Sequence, residues 1–539
     1  MAMLQFKGKA FVQNHHFSVP VSELKPDEKK SLLLKGEKPS LEGNLIIHGD
    51  NLKALKALLP TYAGRVKCIY IDPPYNTGNE HWKYNDNVNS PMIQSWLGQE
   101  VKIDDLSRHD KWLCMMMPRL KLLRELLSDD GVIFISIDDN EVHHLRALMN
   151  EIFFEDNFVA SLIRQAIKGG TGPSDEVRKT HDYVLVYAKN KEESELSGLE
   201  VDSLPLDQVD NVGAYRKGRE LNKWGAGSRR EDSPTMWFPI TGPQGEDVYP
   251  IRNDGSEGRW RWGKKRMLKA VENENVIFEA RTDGTCIVYE KIREDSVRRK
   301  AHSTLELTNA SGTETLKALF GGKSPFPYPK PVSLVEFLID LVASEDGAIV
   351  LDSFAGSGTT AHAVLAKAKE DENSRRFILI ECEDYADMIT AERVRRVIKG
   401  LPHAKDPELK KGLGGGFSYF TLGNAIDANA VLTGKSLPSY EEMARFVFYS
   451  ATGAPFDAKK INKKKGYIGE SEEYEVYLLY KPDVEFLKTK ALDADYLKVL
   501  GKAGKKTRLV FGPMKYLDQE ALEEHKIIFA QLPSEIYRR

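Results

Sequence analysis

The tetrapeptide Asp72-Pro73-Pro74-Tyr75 delivers a carboxylate, two rigid prolines and an aromatic ring from the end of the apolar run 66–71. Such a run reads as a buried strand. The acid and the first proline carbonyl can accept both N–H bonds of an exocyclic amine. That draws the nitrogen lone pair out of ring conjugation and lets it attack an electrophilic methyl group. Pro73 and Pro74 fix φ and lend no N–H donors, so the acceptors stay aimed at one point. Tyr75 supplies a face on which a planar base can stack. The plainer reading is a Pro-rich turn that closes a strand.

A second loop with chemical potential is Asp352-Ser353-Phe354-Ala355-Gly356-Ser357-Gly358-Thr359-Thr360-Ala361, between the strand-like run 348–351 and a helix. Its glycines let a ligand approach the backbone, and a helix N-terminus offers free N–H groups. Gly356-x-Gly358-x-x-Ala361 also fits the loose dinucleotide fingerprint, so a nicotinamide-dependent dehydrogenase stays in view. Glu381, at the end of the next strand, suits ribose hydroxyls of either NAD or S-adenosylmethionine. Asp352 and Phe354 favour the second ligand. An acid beside the loop suits an ammonium and a sulfonium, whereas it would repel a pyrophosphate.

Strands and helices must carry these loops. Residues 44–50 read as a strand and turn, and 52–59 as a short amphipathic helix. Leu113, Met116, Leu120, Leu123 and Leu127 keep a helical period. Ser128-Asp129-Asp130-Gly131 ends that helix, and 132–137 is a strand buried on both faces. Strands at 183–187, 348–351 and 377–380 then alternate with helices at 141–153, 333–342 and 388–399. This alternation argues an α/β fold with a mostly parallel sheet. Open sheets of that kind bind ligands beyond the C-terminal ends of their strands. The two loops can therefore meet if both α/β stretches build one sheet around an inserted segment. Residues 76–110 are polar and read as a mobile loop, and 1–40 as a Lys-rich arm. Pro402 and the glycines at 412–416 mark a boundary before a mixed α+β tail.

Composition narrows the function classes. At 539 residues the chain holds about three domains. Its 41% hydrophobic and 29% charged residues are those of an ordinary globular protein. A net charge of −3 argues against a generally basic, DNA-coating protein, so nucleic-acid contact must come from local patches. One patch is Arg259-Trp260-Arg261-Trp262-Gly263-Lys264-Lys265-Arg266. A second gathers Arg216, Lys217, Arg219, Lys223, Arg229 and Arg230 around Trp224. Phosphate neutralisation with aromatic contact makes Arg259, Trp260, Arg261, Lys264, Lys265 and Arg266 candidate DNA contacts. The alternative is a solvated face with its tryptophans turned into a local core. Cys68, Cys114, Cys286 and Cys382 lie far apart, which argues against disulfides and a structural zinc site and fits a reducing cytoplasm. No metal-ligand cluster is legible, and neither export nor a membrane span is expected.

On these residues the chain resembles DNA amino-methyltransferases of the β arrangement, with the catalytic motif ahead of the cofactor motif. More narrowly, it resembles the Mod subunits of Type III restriction–modification systems. The supporting residues are Gly49-Asp50-Asn51-Leu52, Asp72-Pro73-Pro74-Tyr75-Asn76-Thr77-Gly78, Pro118-Arg119-Leu120, and Asp130-Gly131 leading to Ser136-Ile137-Asp138-Asp139-Asn140-Glu141. Tyr328-Pro329-Lys330-Pro331 upstream of the Asp352 loop completes the set. The likeness covers roughly residues 41–190 and 325–425.

The resemblance implies an α/β, Rossmann-like S-adenosylmethionine-dependent sheet of circularly permuted motif order with a reversed final hairpin. It divides the chain into an arm (1–40), a first methyltransferase part (41–190), a target-recognition region (191–325), a second methyltransferase part (326–411) and a C-terminal α+β domain (417–539) for dimer or partner contacts. Asp72, Pro73, Pro74 and Tyr75 would hold and activate a flipped base. Asp352, Phe354, Gly356, Gly358 and Thr359 would line the cofactor, with Glu381 on its ribose, Asp50 on its adenosine side and Lys330 near its methionine end. Asp138 and His143 read as a surface acid and a helix-face histidine. The expected reaction is N6-methylation of adenine in double-stranded DNA. Cytosine-N4 relatives usually carry Ser where Asp72 stands. A homodimer and a separate Res-like subunit for cleavage are the implied partners. The rival readings are an N4-cytosine methyltransferase and a non-catalytic DNA-binding specificity subunit.

Overall fold

Apolar runs too short for core helices become the strands of one mixed sheet. The structure, a computed structural model, describes residues 4–77, 107–169, 177, 179–203, 205–225, 227–293, 296–402, 404, 407–426 and 437–532. Among these, the sheet comprises β1 Ser22–Pro26, β2 Leu45–His48, β3 Val66–Ile71, β4 Leu127–Ile137, β5 Phe158–Gln165, β6 His181–Ala188, β7 Thr304–Leu305, β8 Ala348–Asp352, β9 Arg375–Glu381 and β10 Ser418–Ala425. Their spatial order is β1-β10-β2-β9-β8-β3-β4-β6-β5-β7. The strands from β10 to β4 in that order run parallel. β6 lies antiparallel between β4 and β5, which is the reversed hairpin expected above. The fold is therefore α/β with a Rossmann-like sheet.

The central strands are mostly apolar because both their faces are covered. Ile69, Ile71, Ile133, Ile135, Leu351 and Ile378 have no exposed surface. The helix Arg108–Leu126 turns Leu113, Met116, Leu120 and Leu123 into the same core. Ser128-Asp129-Asp130-Gly131 departs from expectation. The segment is a bulge inside β4 rather than a turn before it, since Val66 pairs with Leu127 and Cys68 with Val132. Gly131 is required there by close approach: a Cβ would meet Val66 O and Ser128 O, each at 2.9 Å. The helix expected over 388–399 opens as a π turn, Asp387–Ala391, before Glu392–Lys399 continues it.

Two compact units divide the chain, one of residues 1–197 and 302–539 and the other of 198–301. Three sequence boundaries move as a result. The arm 1–40 is not loose: β1 pairs with β10, and Val12 and Val19 are buried in the core. The tail begins later than 417, because β10 pairs with β2 and continues the main sheet. The insertion is narrower than 191–325, because β7 and the helix Asn309–Leu319 lie in the larger unit. Most of the polar segment read as a mobile loop, 78–106, lies outside the described residues.

Within the larger unit, strands Tyr467–Glu470, Tyr474–Leu478, Thr507–Gly512 and Ile527–Gln531 form a further sheet, so the tail is mixed α+β as expected. The smaller unit has an antiparallel sheet of Val276–Ala280, Cys286–Ile292, Ala214–Glu220 and Gln208–Val209 with the helix Lys264–Glu272. No helix among the described residues is long and apolar enough to cross a membrane.

Truncating Ile69 at the centre of the main sheet should be costly. Ile69→Ala is expected to lose about 2–5 kcal/mol, read as a lowered urea midpoint. An unchanged midpoint would deny β3 its place in the core.

Candidate active site

β3 and β8 are neighbours, with Val350 opposite Cys68 and Leu351 opposite Ile69. Parallel pairing brings their C-terminal ends to one edge of the sheet, where Asp72 follows Ile71 and Asp352 closes β8. Both loops open into one crevice of about 2120 Å³, lined by Asp72, Pro73, Pro74 and Tyr75 and by Phe354, Gly356 and Glu381. The two motifs are brought together.

The tetrapeptide is braced from several sides. Trp112 Nε1 donates to Pro74 O at 2.7 Å. Asn76 takes a left-handed φ of 58°, and its Nδ2 donates to the buried Glu141 Oε1 at 2.5 Å. Lys330 Nζ donates to Asp72 Oδ2 at 2.5 Å and lies 5.0 Å from the Tyr75 ring centroid. Asp72 Oδ1 is buried and has no hydrogen-bond partner among the described residues. One carboxylate oxygen is thus held while the other can still accept. Burial, then the charges of Asp72 and Asp182, pushes the Tyr75 hydroxyl well above its ordinary value. The phenol therefore stays neutral. Lys330, expected near the methionine end of a cofactor, puts its ammonium on Asp72. Its carbonyl accepts from Thr359 Oγ1 at 3.3 Å, so the residue touches both corners.

At the second corner Gly356 brings backbone to the crevice wall. Gly356 and Gly358 have φ of 51° and 78°, a region that disfavours side chains. Gly358 caps the helix Thr359–Glu370, and a Cβ there would meet Thr390 O at 3.0 Å. Thr390, from the π turn, donates through Oγ1 to Gly356 O at 2.5 Å. Glu381 Oε2 accepts from Gly356 N at 2.7 Å, and its Oε1 accepts from Cys382 N at 2.9 Å and Glu383 N at 3.0 Å. Burial raises the Glu381 carboxyl above its ordinary value, against the pull of those N–H donors. Asp352 acts on its own loop: Oδ1 accepts from Phe354 N at 3.0 Å and Oδ2 from Thr360 Oγ1 at 2.5 Å. Asp50 caps the helix Asn51–Tyr62, accepting from Lys53 N at 3.0 Å, and lies on the crevice wall.

Two arginines matter here that sequence reasoning did not single out. Arg119 Nε donates to Asn51 Oδ1 at 2.5 Å, and Asn51 Nδ2 donates to Ser353 O at 3.2 Å. Arg119 thereby joins the helix Arg108–Leu126 to the cofactor-loop side. Its only signal was membership of Pro118-Arg119-Leu120. Arg393, fully buried, donates through Nη1 to Ser357 Oγ at 2.9 Å and Thr359 Oγ1 at 2.7 Å. Nothing in its local sequence marked it.

The smaller unit corrects one DNA-contact expectation and rearranges the others. Trp260 has no exposed surface and donates through Nε1 to Phe238 O at 2.8 Å. It packs with Leu221, Trp262, Met267 and Val288, so its face is closed to a nucleic acid. Arg259 Nε donates to Gly227 O at 2.6 Å and Arg261 Nε to Glu220 O at 2.8 Å. Arg266 lies 4.2 Å from the Trp262 ring, Lys264 is exposed, and the Lys265 side chain lies outside the described residues. The two basic stretches run side by side, with Lys223 N donating to Arg259 O and Arg261 N to Leu221 O, both at 2.9 Å. The indole they leave to solvent is Trp224, 61% exposed.

Comparison with known proteins gives the chain a family. Residues 66–392 match a family described as DNA methylase. The Type III restriction-modification enzyme EcoPI Mod subunit of Escherichia phage P1 is 34% identical over 68% of this chain and 64% of its own length. The Type II methyltransferase M.KpnI of Klebsiella pneumoniae is 36% identical over 62% of this chain and 79% of its own. The Type III StyLTI Mod subunit of Salmonella typhimurium is 30% identical over 89% of this chain and 77% of its own. The chain thus spans just under two thirds of the EcoPI subunit.

Burial lifts the Asp352 carboxyl from an ordinary 3.8 to about 7. The folded chain therefore holds this proton more tightly than the unfolded chain does. The group's contribution to stability is fully present below 3.8 and lost as pH rises through about 7. Asp352→Asn should gain melting temperature relative to the parent across that window. Parallel melting profiles would refute the assignment.

Proposed function

The chain belongs to the DNA methylase family, and from that premise we propose that it transfers a methyl group from S-adenosylmethionine to N6 of a flipped adenine in double-stranded DNA. In this reading it is the modification subunit of a Type III-like restriction or phage-defence system, acting in the cytoplasm. The carrying observation is that the Asp72 and Gly356 corners open into one crevice from adjacent strand ends. The names of the EcoPI and StyLTI relatives support the Mod assignment and, with it, a Res-like partner. A homodimer belongs to the same proposal and is read by light scattering.

The residues present fit the cofactor. Left-handed Gly356 and the helix N-terminus at Thr359 form the cradle, Phe354 lines it, and Glu381 stands at the end of the next strand, while Gly358 packs against Thr390. S-adenosylmethionine, when bound, supplies an electrophilic methyl group on sulfur. The protein's own part is to hold the base. Extrusion from the duplex costs roughly a few kcal/mol, and stacking on Tyr75 offsets on the order of 1–3 kcal/mol. Asp72 Oδ1 accepts an amine N–H, while Lys330 on Oδ2 keeps the carboxylate from rotating. A nitrogen that has gained a fourth substituent is strongly acidic, so Asp72 Oδ1 can take its proton without being a strong base. We assign the smaller unit to target recognition, supported by its paired basic stretches and exposed Trp224.

Digestion of modified DNA to nucleosides should yield N6-methyladenine; N4-methylcytosine alone would overturn the choice of base. Asp72→Ala should keep DNA affinity while losing about 10²–10³-fold in methyl transfer. Retained transfer would remove Asp72 from its role. Lys330→Met should lower turnover on the order of 10²-fold through misplacement of Asp72, with cofactor affinity unchanged. A matching loss of cofactor affinity would return Lys330 to the methionine end.

A further inference from the structure

We propose that His109, Glu141 and His144 form a site for one divalent transition-metal ion of the zinc class, which anchors the chain leaving the Asp72–Tyr75 corner. One donor atom from each residue lies within 4.8 Å of the others. Glu141 is the residue before the helix Val142–Phe153, so Glu141 and His144 share a face at a spacing of three. His109 comes from the first turn of the helix Arg108–Leu126, and its ring centroid lies 5.0 Å from that of His144.

A second observation points to a ligand. Glu141 has no exposed surface, and its Oε1 is shared by Asn76 Nδ2 at 2.5 Å and His109 Nδ1 at 2.6 Å. Its Oε2 is buried with no hydrogen-bond partner among the described residues. A buried carboxylate oxygen left bare is costly unless something fills its lone pairs. A metal ion does so at Oε2 without displacing Asn76 from Oε1. The His109 side chain is 33% exposed, so an ion can reach the cluster from solvent.

The donor set decides the class of ion. Two imidazoles with one carboxylate suit zinc and its first-row neighbours, whereas magnesium and calcium take oxygen ligands. Donors about 2.0–2.2 Å from one ion stand about 3.5 Å apart in a tetrahedron. The present spread, within 4.8 Å, would tighten by roughly 1 Å around an ion. The ion would touch no reacting atom. It would fix Glu141, which holds Asn76, the residue after Tyr75, in its left-handed conformation. Its role is positioning, and its existence does not depend on the reaction proposed above.

The test uses the full chain, freed of metal by a chelator and titrated with Co²⁺ and Zn²⁺. One equivalent of Co²⁺ should bind with visible d–d absorption and be displaced by Zn²⁺. Affinity should fall at least about 10²-fold in His109→Ala and in His144→Ala, and Zn²⁺ should raise the melting temperature of the parent but not of Glu141→Gln. Glu141→Gln keeps the shape and an Asn76 acceptor, so it reads ligation even where a histidine variant misfolds. Less than stoichiometric binding, undiminished binding in His109→Ala/His144→Ala, or loss in His143→Ala in place of His144→Ala would overturn the site. Methyl transfer is not among these readouts, so a failed site and a failed reaction reading remain distinct.

Discussion

The parallel pairing of β3 with β8 is the constraint on which the crevice depends. Strands so far apart in sequence become neighbours only if the chain between them can leave the sheet and return. It does so through a segment, 198–301, that carries its own core around Trp260, Leu221 and Val288. The sheet is then free to close Val350 onto Cys68 and Leu351 onto Ile69. A one-residue slip in this ladder would turn buried side chains to the opposite face. Complete burial on both faces makes such a slip costly, and it holds Asp72 and the Gly356 loop on a common edge.

Lys330 turns that adjacency into a fixed geometry. Its ammonium is on Asp72 and its carbonyl is on Thr359, so it reaches both corners from the segment entering the helix Val332–Val342. The pair is largely shielded, with side-chain exposures of 11% for Lys330 and 26% for Asp72. Such pairs recover little net stability after desolvation. What this one secures is direction: it holds one oxygen of Asp72 and leaves the other to accept.

Legibility followed the range of the information. Runs 66–71, 132–137, 348–351 and 377–380 announced their strands because each carries its whole signal within a few residues. The tetrapeptide and the glycine loop were legible for the same reason. What failed depended on partners distant in sequence. Ser418–Ala425 was assigned to the tail, since nothing local says that it pairs with Leu45–His48. Trp260 was read with the cations beside it, but Leu221, Phe238 and Val288 decide its burial. Asp352 looked like a ligand for a cation, yet its oxygens are taken by Phe354 N and Thr360 Oγ1. His109 comes from a different helix than Glu141 and His144, so no spacing rule could have gathered all three.

The electrostatics of the glycine corner carry the last step. Burial raises the Asp352 and Glu381 carboxyls, lowers the Arg393 guanidinium to about 9 and lowers the His362 imidazole to about 3. Acids pushed up beside a cation pushed down are charges that do not compensate one another. Arg393 binds hydroxyls, and the acids bind backbone N–H groups and a threonine. Each of these groups is held by neutral partners of its own corner, so hydrogen bonds and not ion pairs fix the shape of the glycine loop.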